Sequence, residues 1–178
     1  MYVWIGLSLN DELQDFSNNI IQYSFKKNIK TPLNVLPIHI SLRISFEIQK
    51  ELYRKIEDEI LLFAKSLKPF NVSFKQIEKN NNIIWLRCED NHVLLESHNI
   101  LCEILKEKYN IPHHEFDNNF IFHSTLFMDD HDKINKEFSN VSGLKFPKNI
   151  NINKMLLGTS ENGEPGTFKV KKSIIIGV

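Results

Sequence analysis

One order of patterns occurs twice along the chain, and few folds accommodate it: an alternating apolar run, a stretch with helical apolar spacing, and a second alternating run that carries a histidine. In the first occurrence Val3, Ile5 and Leu7 alternate with Tyr2, Trp4 and Ser8, as a strand with one buried face requires. Asn10 is expected to cap the next helix. Asp11 and Glu12 suit the positive end of its dipole, and Leu13, Phe16, Ile20 and Tyr23 recur at helical spacing. This helix should end before Pro32, and a second strand is predicted over 38–44. A further helix with the stripe Leu52, Ile56, Ile60, Phe63 and Leu67 stops at Pro69, and 70–76 reads as another strand.

After the polar turn at 79–82 the order repeats, with a strand over 83–88, a helix over 91–109, a strand over 121–127 and a short helix over 131–139. Two more strand-like runs, 151–158 and 167–177, flank a segment, 161–166, whose Gly and Pro content suits a hairpin connection. These patterns predict an α+β fold in which residues 1–178 form a single bilobal domain. Two pseudo-symmetric lobes would place mixed or antiparallel sheets around a central cleft, with helices outside. A chain of 178 residues can bury a sizeable core, and no stretch of it reads as a linker.

Composition narrows the partners. Lys plus Arg and Asp plus Glu both number 22, so the chain lacks the positive field that a long nucleic acid attracts, and a short or end-on substrate fits better than a DNA duplex. The first residues hold no basic leader, and no run is long and apolar enough to span a bilayer, so a cytoplasmic protein without a membrane partner is expected. Cys88 and Cys102 match neither a disulfide framework nor a zinc cluster and read as two buried thiols.

The chemistry lies in the histidine-bearing strands. In the run 37–44 the period of two sets Ile38, Ile40, Leu42 and Ile44 on one face and His39, Ser41 and Arg43 on the other. In 120–127, His123 and Thr125 share a face in the same way, although Ser124 interrupts the apolar side. Each lobe thus offers His-x-hydroxyl from its second strand, and a pseudo-twofold axis would bring the two into one groove. Two imidazoles suit displacement at phosphorus, one removing a proton from the nucleophile and the other protonating the leaving oxygen, because an unperturbed pKa of about 6.5 serves both tasks. The Ser41 and Thr125 hydroxyls would donate to the non-bridging oxygens, and Arg43 would neutralise a phosphate. The arrangement requires no metal and no cofactor.

His39-Ile-Ser-Leu42 and His123-Ser-Thr-Leu126 resemble the paired His-Φ-[Ser/Thr]-Φ tetrapeptides (Φ apolar) of the two-histidine (2H) phosphoesterase superfamily. The second departs at Ser124, where an apolar residue is usual. The run from His39 to Glu47 is similar to the bacterial branch called 2′-5′ RNA ligase-like. That resemblance implies a bilobal fold with both motifs in a central cleft, and hydrolysis of 2′,3′-cyclic or 2′-5′ phosphodiesters of nucleotides or RNA ends. We expect a monomer with a nucleotide or short RNA end as substrate. Two alternatives stay open: RNA 2′-5′ end joining by the same acid-base pair in reverse, and a non-catalytic protein that binds nucleotides or RNA ends.

Other features read as structural. Trp4 and Trp85 occupy equivalent strands and are taken chiefly as core, with base stacking the lesser reading. His92, His98, His113, His114 and His131 form no metal-ligand spacing, and no Gly-rich phosphate loop is present.

Overall fold

The computed structural model describes all 178 residues. Its elements run β1 (Tyr2–Ser8), α1 (Asn10–Lys27), β2 (His39–Glu47), α2 (Tyr53–Ser66), β3 (Phe70–Asn80), β4 (Ile83–Cys88), α3 (His92–Tyr109), β5 (His123–Met128), α4 (His131–Val141), β6 (Asn149–Ile152), β7 (Lys154–Ser160) and β8 (Lys169–Ile175). Two four-stranded sheets result, ordered β2-β1-β7-β8 and β5-β4-β3-β6, and every neighbouring pair is antiparallel. The α+β architecture with two similar sheets is therefore the one the repeated pattern predicts, and the histidine strands β2 and β5 are edge strands of their respective sheets.

The chain does not divide into consecutive halves. β3 crosses to the second sheet, and β7 and β8 return to complete the first. The run expected as one strand over 151–158 is two: β6 pairs with β3 through Phe70–Ile152, whereas β7 pairs with β1 through Leu7–Met155. Asn153 lies between them. The reason is burial, since Ile150 and Ile152 point into one sheet's core while Met155 and Leu157 fill the other's. One continuous apolar cluster includes Ile5 and Leu42 of the first sheet and Ile84 and Leu126 of the second, so the two share a core. Each such fully buried side chain contributes about 1.5–3 kcal/mol.

Asparagine sets several boundaries. Asn91 caps α3, its Oδ1 accepting from the N–H groups of Val93 at 3.0 Å and Leu94 at 3.1 Å. Asn28 and Asn110 end α1 and α3 in the left-handed conformation (φ 51° and 56°), the role glycine usually plays. Asn10 is not the cap of α1. It lies in the first turn and donates its N–H to Ser8 Oγ at 3.3 Å, while Leu9 holds the cap position and α1 has no side-chain cap. No helix is long and apolar enough to cross a membrane.

Candidate active site

His39 and His123 open β2 and β5, and each is held the same way. His39 Nδ1 lies 2.7 Å from the carbonyl oxygen of Pro37, and His123 Nδ1 lies 2.7 Å from that of Ile121. A carbonyl only accepts, so Nδ1 carries the proton in both rings and Nε2 keeps its lone pair for chemistry. Each ring also packs on a buried tryptophan from the neighbouring strand. The Trp4 and His39 ring centroids are 4.4 Å apart at 66°, and those of Trp85 and His123 are 4.2 Å apart at 38°. The tryptophans read chiefly as core are thus core residues whose faces and edges confine the two histidines.

This packing controls protonation. Desolvation pushes the His39 pKa down to about 4, against a partial opposing effect from its bond to Pro37, and the neighbouring His123 charge lowers it further. His123 is also lowered, again chiefly by desolvation.

A cavity of about 420 Å³ contains His39 from the first motif and Thr125 from the second. Its remaining wall comes from segments with no recognisable motif: Lys30, Leu36 and their neighbours after α1, Met128, and Pro165 to Phe168 of the β7–β8 connection. Sequence spacing could not have found these residues, because only the crossing of β7 and β8 back to the first sheet brings their loop over β2. A larger cavity, about 640 Å³, lies between the end of β4, the start of α3 and residues 119–122, and contains no residue of either motif. The smaller one holds His39 and Thr125, while Ser41 and His123 are not among the residues that line it.

The hydroxyls differ. Ser41 Oγ accepts from Trp4 Nε1 at 3.0 Å, which leaves its own O–H free to donate. Thr125 is half-buried beside His39 in the cavity. Arg43 does not reach that cavity. Only 2% exposed, it directs Nη1 to Asp117 Oδ1 at 3.3 Å and Nη2 to the Pro112 carbonyl at 3.0 Å. The cause is a bulge in β2: β1 pairs Gly6 with Ser41 and Ile5 with Arg43, so Leu42 is an extra residue and the expected alternation from His39 to Arg43 is broken.

With this geometry in place, comparisons with known proteins are informative. A family model described as the 2′-5′ RNA ligase superfamily matches residues 10–164. A Geobacillus kaustophilus protein with a provisional phosphoesterase name is 30% identical over 89 residues, 48% of this chain and 49% of that one, so the match spans about half of that relative. Among solved structures, TT0787 of Thermus thermophilus superposes with a TM-score of 0.67 at 15% identity over 99% of this chain and 98% of that one. LigT of Escherichia coli, solved with 3′-AMP, gives 0.59 at 14% identity over 99% and 98%. Usb1 of Kluyveromyces marxianus gives 0.51 at 11% identity over 98% of each chain. At these identities the structural likeness establishes a shared fold.

Proposed function

Because the chain belongs to the 2′-5′ RNA ligase superfamily of phosphoesterases, we propose that it hydrolyses 2′,3′-cyclic or 2′-5′ phosphodiesters of nucleotides or RNA ends by metal-independent acid-base catalysis. The observation that carries this reading is the matched pair of Nδ1–carbonyl bonds, which leaves His39 and His123 each with an available Nε2. The 3′-AMP held by LigT supports a nucleotide-sized substrate, and a 420 Å³ cavity is large enough for one.

His39 is the base. Desolvation lowers both imidazole pKa values, and His39, the ring that lines the cavity, is placed to meet the attacking water. His39 Nε2 takes a proton from water as its oxygen attacks phosphorus, the P–O bond to the leaving ribose oxygen breaks, and His123 Nε2–H protonates that oxygen. One water is consumed and a phosphomonoester forms. Ser41, its Oγ already accepting from Trp4, donates its proton to a non-bridging oxygen, and Thr125 does the same from the other motif. Lys30 at the cavity wall would offset phosphate charge, and Phe168 offers a face to a base.

The test is a substrate panel with chelator present: nucleoside 2′,3′-cyclic phosphates, 2′-5′-linked oligoadenylate and RNA ending in a cyclic phosphate, run against His39→Ala and His123→Ala. One substrate should be consumed by the wild type and spared by both variants, a loss of at least 10²-fold on the usual magnitude for acid-base catalysis. Turnover that chelator abolishes and metal restores would defeat the proposal. Tight binding without turnover would favour the non-catalytic alternative, and joined products the reverse reaction.

A further inference from the structure

A buried polar cluster sits where the two sheets meet, apart from the cavity. Arg43 of β2, Asp117 of the segment before β5, and His98 of α3 are 2%, 5% and 1% exposed. Arg43 bonds Asp117 and the Pro112 carbonyl. The second carboxylate oxygen of Asp117 accepts from the His114 N–H at 2.7 Å. His98 Nδ1 donates to the Leu42 carbonyl at 2.7 Å, and Leu42 is the bulged residue that β1 leaves unpaired. Every one of these bonds joins the first motif's strand to the second half of the chain, or fixes the loop that leads into the second motif.

We infer that Arg43 and Asp117 are positioning residues: their ion pair, with His98 on the β2 bulge, sets the spacing between His39 and His123, and Arg43 acts through Asp117 instead of touching substrate phosphate. The inference rests on the two-histidine reading for its catalytic meaning. Three observations carry it. Arg43 has no surface to present to a ligand. Its Nε is buried without any partner in the protein, so the pair is poorly suited as a source of stability; a buried ion pair that is incompletely satisfied usually loses to an apolar substitute. Its two satisfied nitrogens both bind the segment 112–117, just before His123. The cluster is not read as a metal site, although His98, Cys102 and Asp117 could offer ligand atoms within 4.8 Å of one another. The guanidinium already balances the carboxylate, and burial holds the Cys102 thiol up at about 12.

The experiment is a double-mutant cycle with Arg43→Met, Asp117→Asn and both together, and Arg43→Lys as a milder variant should the first fail to fold. Turnover and the titration of the His39 and His123 ring signals by NMR are measured on the same folded samples. Each single variant should lower kcat about 10–100-fold with KM within twofold, and the pair should lose no more than the worse single. In the free variants both histidines should titrate closer to about 6.5, because a loosened junction admits water. A raised KM in the Arg43 variants with Asp117→Asn silent would mean that Arg43 binds phosphate and would overturn the inference. Unchanged titrations in the variants would overturn it as well, and would leave the two-histidine reading standing. Full turnover in His39→Ala would defeat that reading alone, since the titration arm needs no turnover.

Discussion

A tryptophan laid across a sheet needs room that glycine provides, and Trp4 has it twice. A Cβ on Gly6 would overlap the indole, and one on Gly158 would come within 2.7 Å of it. Gly158 is the cross-strand partner of Trp4 itself. In this slot the ring is 5% exposed, its edge confines His39, and its Nε1–H saturates one lone pair of Ser41. Trp4→Phe would keep most of the packing and remove the donor. Ser41 would then be free to rotate, and one oriented hydrogen bond at the transition state is worth about 1 kcal/mol, so kcat should fall about fivefold. Gly158→Ala, remote from the cavity, should reproduce much of that loss by displacing the indole. Steady-state kinetics of Trp4→Phe, Ser41→Ala and the double variant check this: the double should be no worse than Ser41→Ala, and additive losses would refute the coupling.

The two motif strands show what sequence alone can carry. The alternation in β5 was legible, and Ser124 was visible as an interruption of its apolar face. The structure turns Ser124 into the core, 1% exposed, with Oγ lacking any partner in the protein. An unmade buried hydrogen bond costs about 1–3 kcal/mol, so Ser124→Ala should raise stability by about 1 kcal/mol and leave kcat unchanged, as denaturant unfolding and the phosphodiester assay would show. An equal or lower midpoint would mean that the hydroxyl is satisfied. In β2 the alternation was legible only as far as Ser41, because a bulge is an event of pairing with β1 and leaves no mark in hydrophobic period. That is why Arg43 read as part of the polar face. The strand break at Asn153 was hidden for a related reason: β6 and β7 are both apolar-in strands, and which sheet each joins depends on partners far away in the chain. The cavity wall from 165–168 was unreadable on the same ground. What local pattern did carry was the repeated order of elements and the two His-x-hydroxyl faces, since both follow from periods of 2 and 3.6 that a single strand or helix imposes.

Joining two sheets around half-buried histidines makes activity and stability respond to acid in opposite ways. His39 titrates at about 4 in the folded protein and at about 6.5 when unfolded. Between these values the unfolded chain binds a proton that the folded one refuses, so this contribution is fully present above about 6.5 and is lost as pH falls toward 4, at most about 3 kcal/mol from His39. His123 acts in the same direction. The carboxylates of Glu57, bonded to Lys172, and Glu137, bonded to Tyr23, are held below the usual range, so their contribution is present above about 4.5 and fails only below it. Acid unfolding should therefore have an early stage, starting near pH 6.5, that His39→Ala diminishes, and a later carboxylate stage that the same variant leaves in place. Turnover needs the reverse of the early stage, since one imidazole must be protonated before the leaving oxygen can depart. The free protein's kcat/KM should peak on the acid side of pH 6.5, and kcat should peak at higher pH, because a bound phosphodiester anion stabilises the imidazolium of His123. Rate profiles and denaturant midpoints taken over the same pH series test both claims at once. A kcat/KM maximum above pH 7, or a midpoint that does not rise from pH 5 to 6.5, would show that the histidines are better solvated than the packing of Trp4 and Trp85 against them requires.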